Sequence, residues 1–287
     1  MLRLYHDLNR EQADTFGLVL LTAGIEHEVN SGSDGWDLWV ADNAVDAAEK
    51  VLRSYIDENR EFEAPAESTL RAYRKTWAGL WGALLLLTLY VAVHTNPDMA
   101  AIHRTYASSA SHILNGEWYR STTALLLHSD AVHLAGNLAG VGVFATAVCS
   151  VTGWGMGWLL ILMSGICGNL INAYFYAYGH RAIGASTAVF GAVGLLCAYQ
   201  FIKRIRSPGS RFQIWLPLGA GLALLAFLGA ATHTDIMAHL FGLLSGMVLG
   251  AIYYKLYPDP VKLSWQAGAL ALCVLIVVVA WLSPMLK

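Results

Sequence analysis

From Trp77 to the carboxyl end the chain alternates between long apolar stretches and short polar breaks. The apolar stretches run at about 77–94, 123–149, 154–177, 185–202, 212–231, 235–254 and 265–283. Most come close to the roughly 20 residues that an α-helix needs to cross the hydrocarbon core of a bilayer. The first 64 residues follow a different pattern. Leu2-Arg3-Leu4-Tyr5 alternates as a short strand does. Asp7 or Asn9 is placed to cap a helix through Gln12 to Leu21, which Gly24 ends. Glu26–Asn30 and Trp36–Ala41 flank the turn-rich Ser31-Gly32-Ser33-Asp34-Gly35, as the arms of a hairpin do. Asp42 is then expected to cap a helix whose Val45, Ala48, Val51, Leu52 and Tyr55 repeat at helical spacing.

These patterns predict an all-α membrane protein preceded by a small soluble α+β domain. Residues 1–64 form that domain, and their β-α-β-β-α order resembles small ferredoxin-like regulatory modules. They hold no catalytic constellation, so the expected role is regulation or interaction with a cytoplasmic ligand or partner. Residues 65–76, with Pro65, read as a linker, 77–254 as the membrane core, and 255–287 as a connecting loop and a seventh transmembrane helix. Arg71, Arg74, Lys75, Lys203, Arg204, Arg206, Arg211, Lys255 and Lys262 fall on one side of the expected spans, and Arg104, Arg120, Arg181 and Lys287 on the other. The side richer in lysine and arginine is the cytoplasmic one, which puts the amino terminus inside and the carboxyl terminus outside. The first apolar helix follows an acidic, folded-looking segment, so no cleavable signal peptide is expected and the plasma membrane of a bacterium is the expected location.

Composition sharpens the membrane reading. Of 287 residues, 56% are hydrophobic and 13% charged, against about 25% charged in soluble domains. A net charge of −2 argues against a nucleic-acid partner. Cys149, Cys167, Cys197 and Cys273 all fall in apolar runs, at spacings that fit neither a disulfide framework nor a zinc site.

Within the apolar stretches a few polar residues stand out. His133 and Asn137 are four apart, so a helix presents them on one face. A polar side chain inside a membrane pairs with a neighbouring helix or faces a cavity, and two on one face favour the cavity. His128, five residues before His133, points elsewhere and is expected to make a structural hydrogen bond holding the long loop before it. Ser186 follows Gly184-Ala185 where a loop becomes the fourth span. Serine there is ordinarily a small packing residue, and its hydroxyl becomes a nucleophile only when a base takes its proton. The esterase elbow Gly-x-Ser-x-Gly is excluded, because residue 188 is alanine. The sixth span supplies a candidate base. His239, Gly242 and Gly246 recur at i, i+3 and i+7, a stripe that permits close approach to the glycine-bearing fourth span. The bland reading of His239 is a core histidine with one structural bond. In the loop of about 95–122, Trp118-Tyr119-Arg120 is either an interfacial anchor or part of a loop that dips into the membrane, with Arg120 tying its carbonyls together.

Trp118-Tyr-Arg120, His133-x-x-x-Asn137, Gly184-Ala-Ser186-Thr and Ala238-His239-x-x-Gly242-x-x-x-Gly246, in this order along the chain, resemble the rhomboid family of intramembrane serine proteases. The extra Tyr119 departs from the family pattern, in which the tryptophan and arginine are usually adjacent. The resemblance covers about 77–254. It implies a six-helix rhomboid-like core with a water-filled site opening outward, to which the seventh helix is appended. It also implies a catalytic dyad of Ser186 and His239, with His133, Asn137 and the Ser186 backbone amide as the oxyanion hole. The implied substrates are transmembrane proteins cut near their outer ends, and no metal or organic cofactor is implied. No acidic residue is placed to orient His239, so an aromatic ring from Tyr174, Tyr176 or Tyr178 is expected to hold it. Two rival readings remain. One is a proteolytically inactive rhomboid-like membrane chaperone or binding protein. The other is a transporter, which predicts internal repeats with interrupted helices, and no such repeat is found.

Overall fold

The computed structural model describes residues 1–32, 35–59, 75–205, 211–229, 235–257 and 261–286. Ser33, Asp34, Arg206 and the expected linker as far as Arg74 lie outside the described residues. The chain divides into two compact units, Met1–Ser68 and Thr69–Lys287.

The first unit runs β1 (Leu2–Leu8), α1 (Arg10–Thr22), β2 (His27–Ser31), β3 (Trp36–Val40) and α2 (Val45–Asn59). Strand β3 lies in the centre, antiparallel to both neighbours. Of the two candidate caps for α1, Asn9 does the work. Its side chain accepts from the Gln12 amide at 2.8 Å, and the Gln12 side chain accepts from the Asn9 amide at 3.1 Å, a reciprocal pair that satisfies two orphan donors. Asp42 does not cap α2; its carboxylate instead pairs with the amino terminus of Met1 at 3.0 Å. Leu38 and Val40 point into a core that also buries Ala13, Leu20, Ala48 and Leu52. Alternation along β3 turns Trp39 to the other face, where the Arg3 guanidinium lies 5.9 Å from its ring.

The second unit is mostly helical. Among the described residues five helices are long and apolar enough to cross a membrane: Ala131–Thr152, Trp154–Tyr176, Ser186–Ile205, Ile236–Leu256 and Leu263–Leu286. Ala78–His94 and Trp215–Phe227 are shorter apolar helices. The elements are α3 (Ala78–His94), α4 (Met99–Tyr106), β4 (Ser108–Ser109), α5 (Ala110–Leu114), α6 (Arg120–Thr123), α7 (Ala131–Gly140), α8 (Thr146–Thr152), α9 (Trp154–Tyr176), β5 (Arg181–Ala182), α10 (Ser186–Ile205), α11 (Arg211–Gly229), α12 (Ile236–Leu256) and α13 (Leu263–Leu282). A π-helical turn at Val141–Ala145 joins α7 to α8.

The second span begins later than hydrophobicity predicts, at Ala131 rather than near 123. Asp130 is the reason. Its Oδ1 accepts from the Val132 and His133 amides, both at 2.9 Å, which satisfies orphan donors and starts α7 there. The apolar residues before it stay in the loop, where the Thr123 hydroxyl donates to the Tyr106 carbonyl at 2.7 Å.

The loop between α3 and α7 is tied together by Arg120, which is 5% exposed. Its Nη1 donates to the Arg104 and Ala107 carbonyls at 2.8 and 3.0 Å, and its Nε donates to Glu117 at 2.6 Å. Trp118 points outward, 68% exposed. The two readings of this cluster thus divide between its residues, with the arginine inside and the tryptophan outside. Tyr119 also belongs to the loop interior, its hydroxyl donating to Glu117 Oε2 at 3.0 Å and lying 3.3 Å from the Thr105 carbonyl. Burial pushes the Glu117 carboxyl up, but the hydrogen bonds from Arg120 and Tyr119 outweigh it and hold the group below its ordinary value.

Helices α10 and α12 meet backbone to backbone. A Cβ at Gly242 would strike the Thr187 carbonyl, and one at Gly246 would strike that of Gly191. Gly168 of α9 faces the same level, where a Cβ would meet Thr187 Cγ2 at 2.6 Å and the Gly242 nitrogen at 2.8 Å. Three helices therefore converge beside Ser186 because small residues let them. Helix α13 joins the rest at both ends. Gln266 accepts from the Gly155 and Met156 amides at 2.8 and 3.0 Å and donates to the Thr152 carbonyl at 2.9 Å. At the opposite end Trp281 stacks on Tyr106 with ring centroids 4.3 Å apart.

Candidate active site

Ser186 is the first residue of α10. The chain reaches it through Gly184, whose φ is +129°, and the Gly184 amide donates to the Ala124 carbonyl at 2.9 Å. A Cβ at Gly184 would lie 2.6 Å from His133 Nε2 and 3.6 Å from Asn137 Nδ2. The peptide leading to Ser186 thus lies directly against the polar face of α7. Asn137 is buried, and its Nδ2 donates to the His133 carbonyl at 3.1 Å.

The His133 ring is oriented from its other side. Its Nδ1 lies 3.1 Å from the Ser129 hydroxyl, which donates to Asp130 Oδ2 at 2.7 Å. A hydroxyl has one proton. With that proton directed at the carboxylate, Ser129 Oγ accepts from Nδ1–H; with it turned to Nδ1, the neutral ring carries its proton on Nε2, which then donates. His128 is 1% exposed and packs edge-on against His133, ring centroids 5.3 Å apart. Its Nε2 lies 3.5 Å from the Ala185 amide and its Nδ1 is buried without a partner, so its contact is with the loop before Ser186 rather than with the long loop it was expected to hold.

His239 is buried in α12, and its ring stacks on Phe190 with centroids 4.6 Å apart and planes 26° from parallel. This corrects the expectation that Tyr174, Tyr176 or Tyr178 holds the ring. Tyr174 and Tyr178 are 69% and 80% exposed, and Tyr176 stacks on His180 instead. The signal for Phe190 was present in the sequence, because it is four residues after Ser186 and so on the same helix face. Nδ1 of His239 is buried without a hydrogen-bond partner. Asp235, one turn earlier, is engaged elsewhere, accepting from the Ala238 amide, Asn172 and His180. Among the described residues no hydrogen bond joins Ser186 to His239, and none of their groups of acidic, histidine or cysteine side chains is arranged to hold a metal ion.

The peptide before α10 therefore lies against the His133–Asn137 face, and Phe190, one turn after Ser186, lies against His239. The family model for the Rhomboid domain matches residues 115–256, which include all of these residues. The rhomboid protein YdcA of Bacillus subtilis (strain 168) is 31% identical over 137 residues, an alignment that covers 48% of this chain and 68% of YdcA. The chain belongs to the rhomboid family and is a membrane protein with several apolar helices. Rhomboid protease GluP of the same organism is 28% identical over 218 residues, 73% of this chain and 41% of GluP. Inactive rhomboid protein 2 of Homo sapiens is 29% identical over 135 residues, 46% of this chain and 15% of that protein. The chain thus spans less than half the length of these last two relatives, and the family holds proteases and inactive members alike.

Proposed function

We propose that this protein is an intramembrane serine endopeptidase that cuts transmembrane protein segments near the outer membrane face. The observation that carries the reading is the double contact of the α10 start. The peptide before Ser186 lies against His133 and Asn137, and Phe190, one turn later, stacks on His239. In this reading Ser186 Oγ attacks the scissile carbonyl carbon while His239 takes the hydroxyl proton. The C–N bond then breaks, and the imidazolium returns the proton to the leaving amine. Water, activated by the same imidazole, hydrolyses the acyl ester. Charge on the carbonyl oxygen is met by Asn137 Nδ2–H, the Ser186 amide and His133 Nε2–H, with the Ser129 proton turned to His133 Nδ1. One such donor is typically worth roughly 3–4 kcal/mol in the transition state. Stacking on Phe190 takes the orienting role that a carboxylate has in a triad.

The proposed core consists of six spans, namely α3, α7 with α8, α9, α10, α11 and α12, with α13 added. The amino-terminal unit lies on the cytoplasmic side, where it binds a ligand or partner, and the carboxyl terminus lies outside, in a bacterial plasma membrane. Substrates are cut where a membrane helix unwinds readily, at Gly, Ala or Pro.

A second reading, an inactive membrane chaperone or binding protein, is favoured by the similarity to inactive rhomboid protein 2. The presence of both Ser186 and His239 weighs against it, and the open contact between them does not count for it, since catalytic hydrogen bonds are often long in an unliganded site. A fluorophosphonate probe separates the two. The protein in lipid is expected to label at Ser186 and to cleave members of a library of single-pass segments. Ser186→Ala and His239→Ala each abolish cleavage, and the double variant loses no more than either, because the pair acts as one unit. Substantial turnover by Ser186→Ala would overturn the assignment.

A further inference from the structure

Helix α12 carries the proposed base only four residues from its start, so whatever holds that start also sets the base. Asp235 is the residue in question. Its backbone carbonyl accepts from the His239 amide at 3.1 Å, and its Oδ1 accepts from the Ala238 amide at 3.0 Å as an N-cap. Capping needs only one oxygen, and serine or asparagine would serve as well. The second oxygen does something else. Asp235 Oδ2 takes a hydrogen bond from Asn172 Nδ2 at 2.7 Å and one from His180 Nε2 at 2.5 Å.

These two donors come from different places. Asn172 is in the last turns of α9 and is 2% exposed; it leaves its own Oδ1 buried without a partner while its amide group donates to Asp235. His180 lies in the loop after α9, with its ring stacked on Tyr176 at 4.0 Å and its carbonyl accepting from the Ala110 amide at 3.1 Å. Directly after it, Arg181–Ala182 pairs with Ser108–Ser109, and Ser186 follows four residues later. The segment 180–186 therefore holds the start of the base's helix at one end and carries the nucleophile at the other. Farther along, α10 and α12 touch at Thr187 and Gly242. Two separated points of attachment fix both the position and the tilt of a helix, where one would leave it free to pivot.

We propose that Asp235, gripped by Asn172 and His180, is a positioning residue for the general base: the clasp sets where α12 begins and so fixes the depth and direction of His239. This inference rests on the reading of Ser186 and His239 as a dyad. Misplacing a reacting group by about 1 Å can cost up to about a hundredfold in rate. Removing one of two donors is a smaller disturbance.

The test uses the full chain in lipid. For His180→Ala and Asn172→Ala, the rate constant of fluorophosphonate labelling at Ser186, per folded molecule, is expected to fall on the order of tenfold. The kcat for a cleaved transmembrane segment falls with it, and KM stays within about twofold. Asp235→Ser, which keeps a cap but loses the second oxygen, behaves as those variants do. His180→Gln, which keeps an N–H donor, recovers most of the rate. Circular dichroism and thermal unfolding give the folded fraction. Labelling at the wild-type rate by His180→Ala and Asn172→Ala, or a loss that only follows their folded fraction, overturns the inference while leaving the dyad standing. A wild-type protein that does not label at Ser186 sinks the dyad reading and this inference with it.

Discussion

A methyl group at residue 184 would enter the His133 ring, and the backbone there holds φ at +129°. Glycine alone meets both demands without strain. Residues of this kind set the proposed oxyanion site, because the peptide before Ser186 can lie against α7 only if nothing projects from it. Asn137 and His133 offer their donors to that same space. A donor that bonds more strongly to the charged transition state than to the ground-state carbonyl raises kcat without tightening binding. Asn137→Ala is therefore expected to lower kcat by about 10²–10³ with a much smaller change in KM, as steady-state cleavage in lipid will show. If the folded fraction falls in step and the remaining molecules cleave at full rate, Asn137 is only a bond between helices.

At the scale of elements, two devices hold the site. One is the glycine seam between α10 and α12. Gly242→Val pushes a branched side chain into the Thr187 carbonyl, and overpacking of this kind costs about 1–3 kcal/mol. The expected result is a lower thermal midpoint together with weaker labelling of Ser186; an unchanged midpoint would mean that the helices yield without cost. The other device is the loop around Arg120. Glu117 has a folded-state pKa below its unfolded one. The stability it contributes is therefore complete above the unfolded value and is lost as pH falls through the folded one. Wild type and Glu117→Gln should differ in thermal midpoint near neutral pH, and the gap should close progressively as pH falls below about 4.3, the ordinary glutamate value. A gap that persists undiminished at still lower pH would assign the effect to shape rather than charge.

At the scale of the whole molecule, the match to the Rhomboid domain ends at residue 256, yet the second compact unit continues through α13. That helix is bonded to the α8–α9 corner through Gln266 and to the Arg120 loop through Trp281 and Tyr106. It is part of the scaffold. The first unit differs in this respect, since it has a core of its own and supplies none of the residues of the candidate site. The proposed topology puts it on the cytoplasmic side of the membrane, whereas the proposed cut is near the outer face. A chain starting near Glu67 is accordingly expected to insert, label at Ser186 and cleave a generic transmembrane segment at a similar rate per folded molecule in the same lipid. Loss of labelling by a folded, inserted protein of that length would show that the first unit helps to form the site.

Local rules were enough for much of this. Hydrophobic run lengths located the apolar helices, and alternation with turn residues located β1, β2 and β3, because burial in lipid or against one sheet face acts on every residue of a run. The spacing of His133 with Asn137, and of His239 with Gly242 and Gly246, also marked shared faces, since helical periodicity is a property of the chain alone. What remained open depended on partners distant in sequence. Asn9 rather than Asp7 capped α1, Asp130 moved the start of α7 by several residues, and Arg120 turned inward while Trp118 turned out. Phe190 rather than Tyr174, Tyr176 or Tyr178 came to cover His239, and Asp235 found Asn172 and His180. Each of these outcomes was chosen by which donor, acceptor or ring the folded chain brought within a few ångströms, and that is settled only when the helices pack.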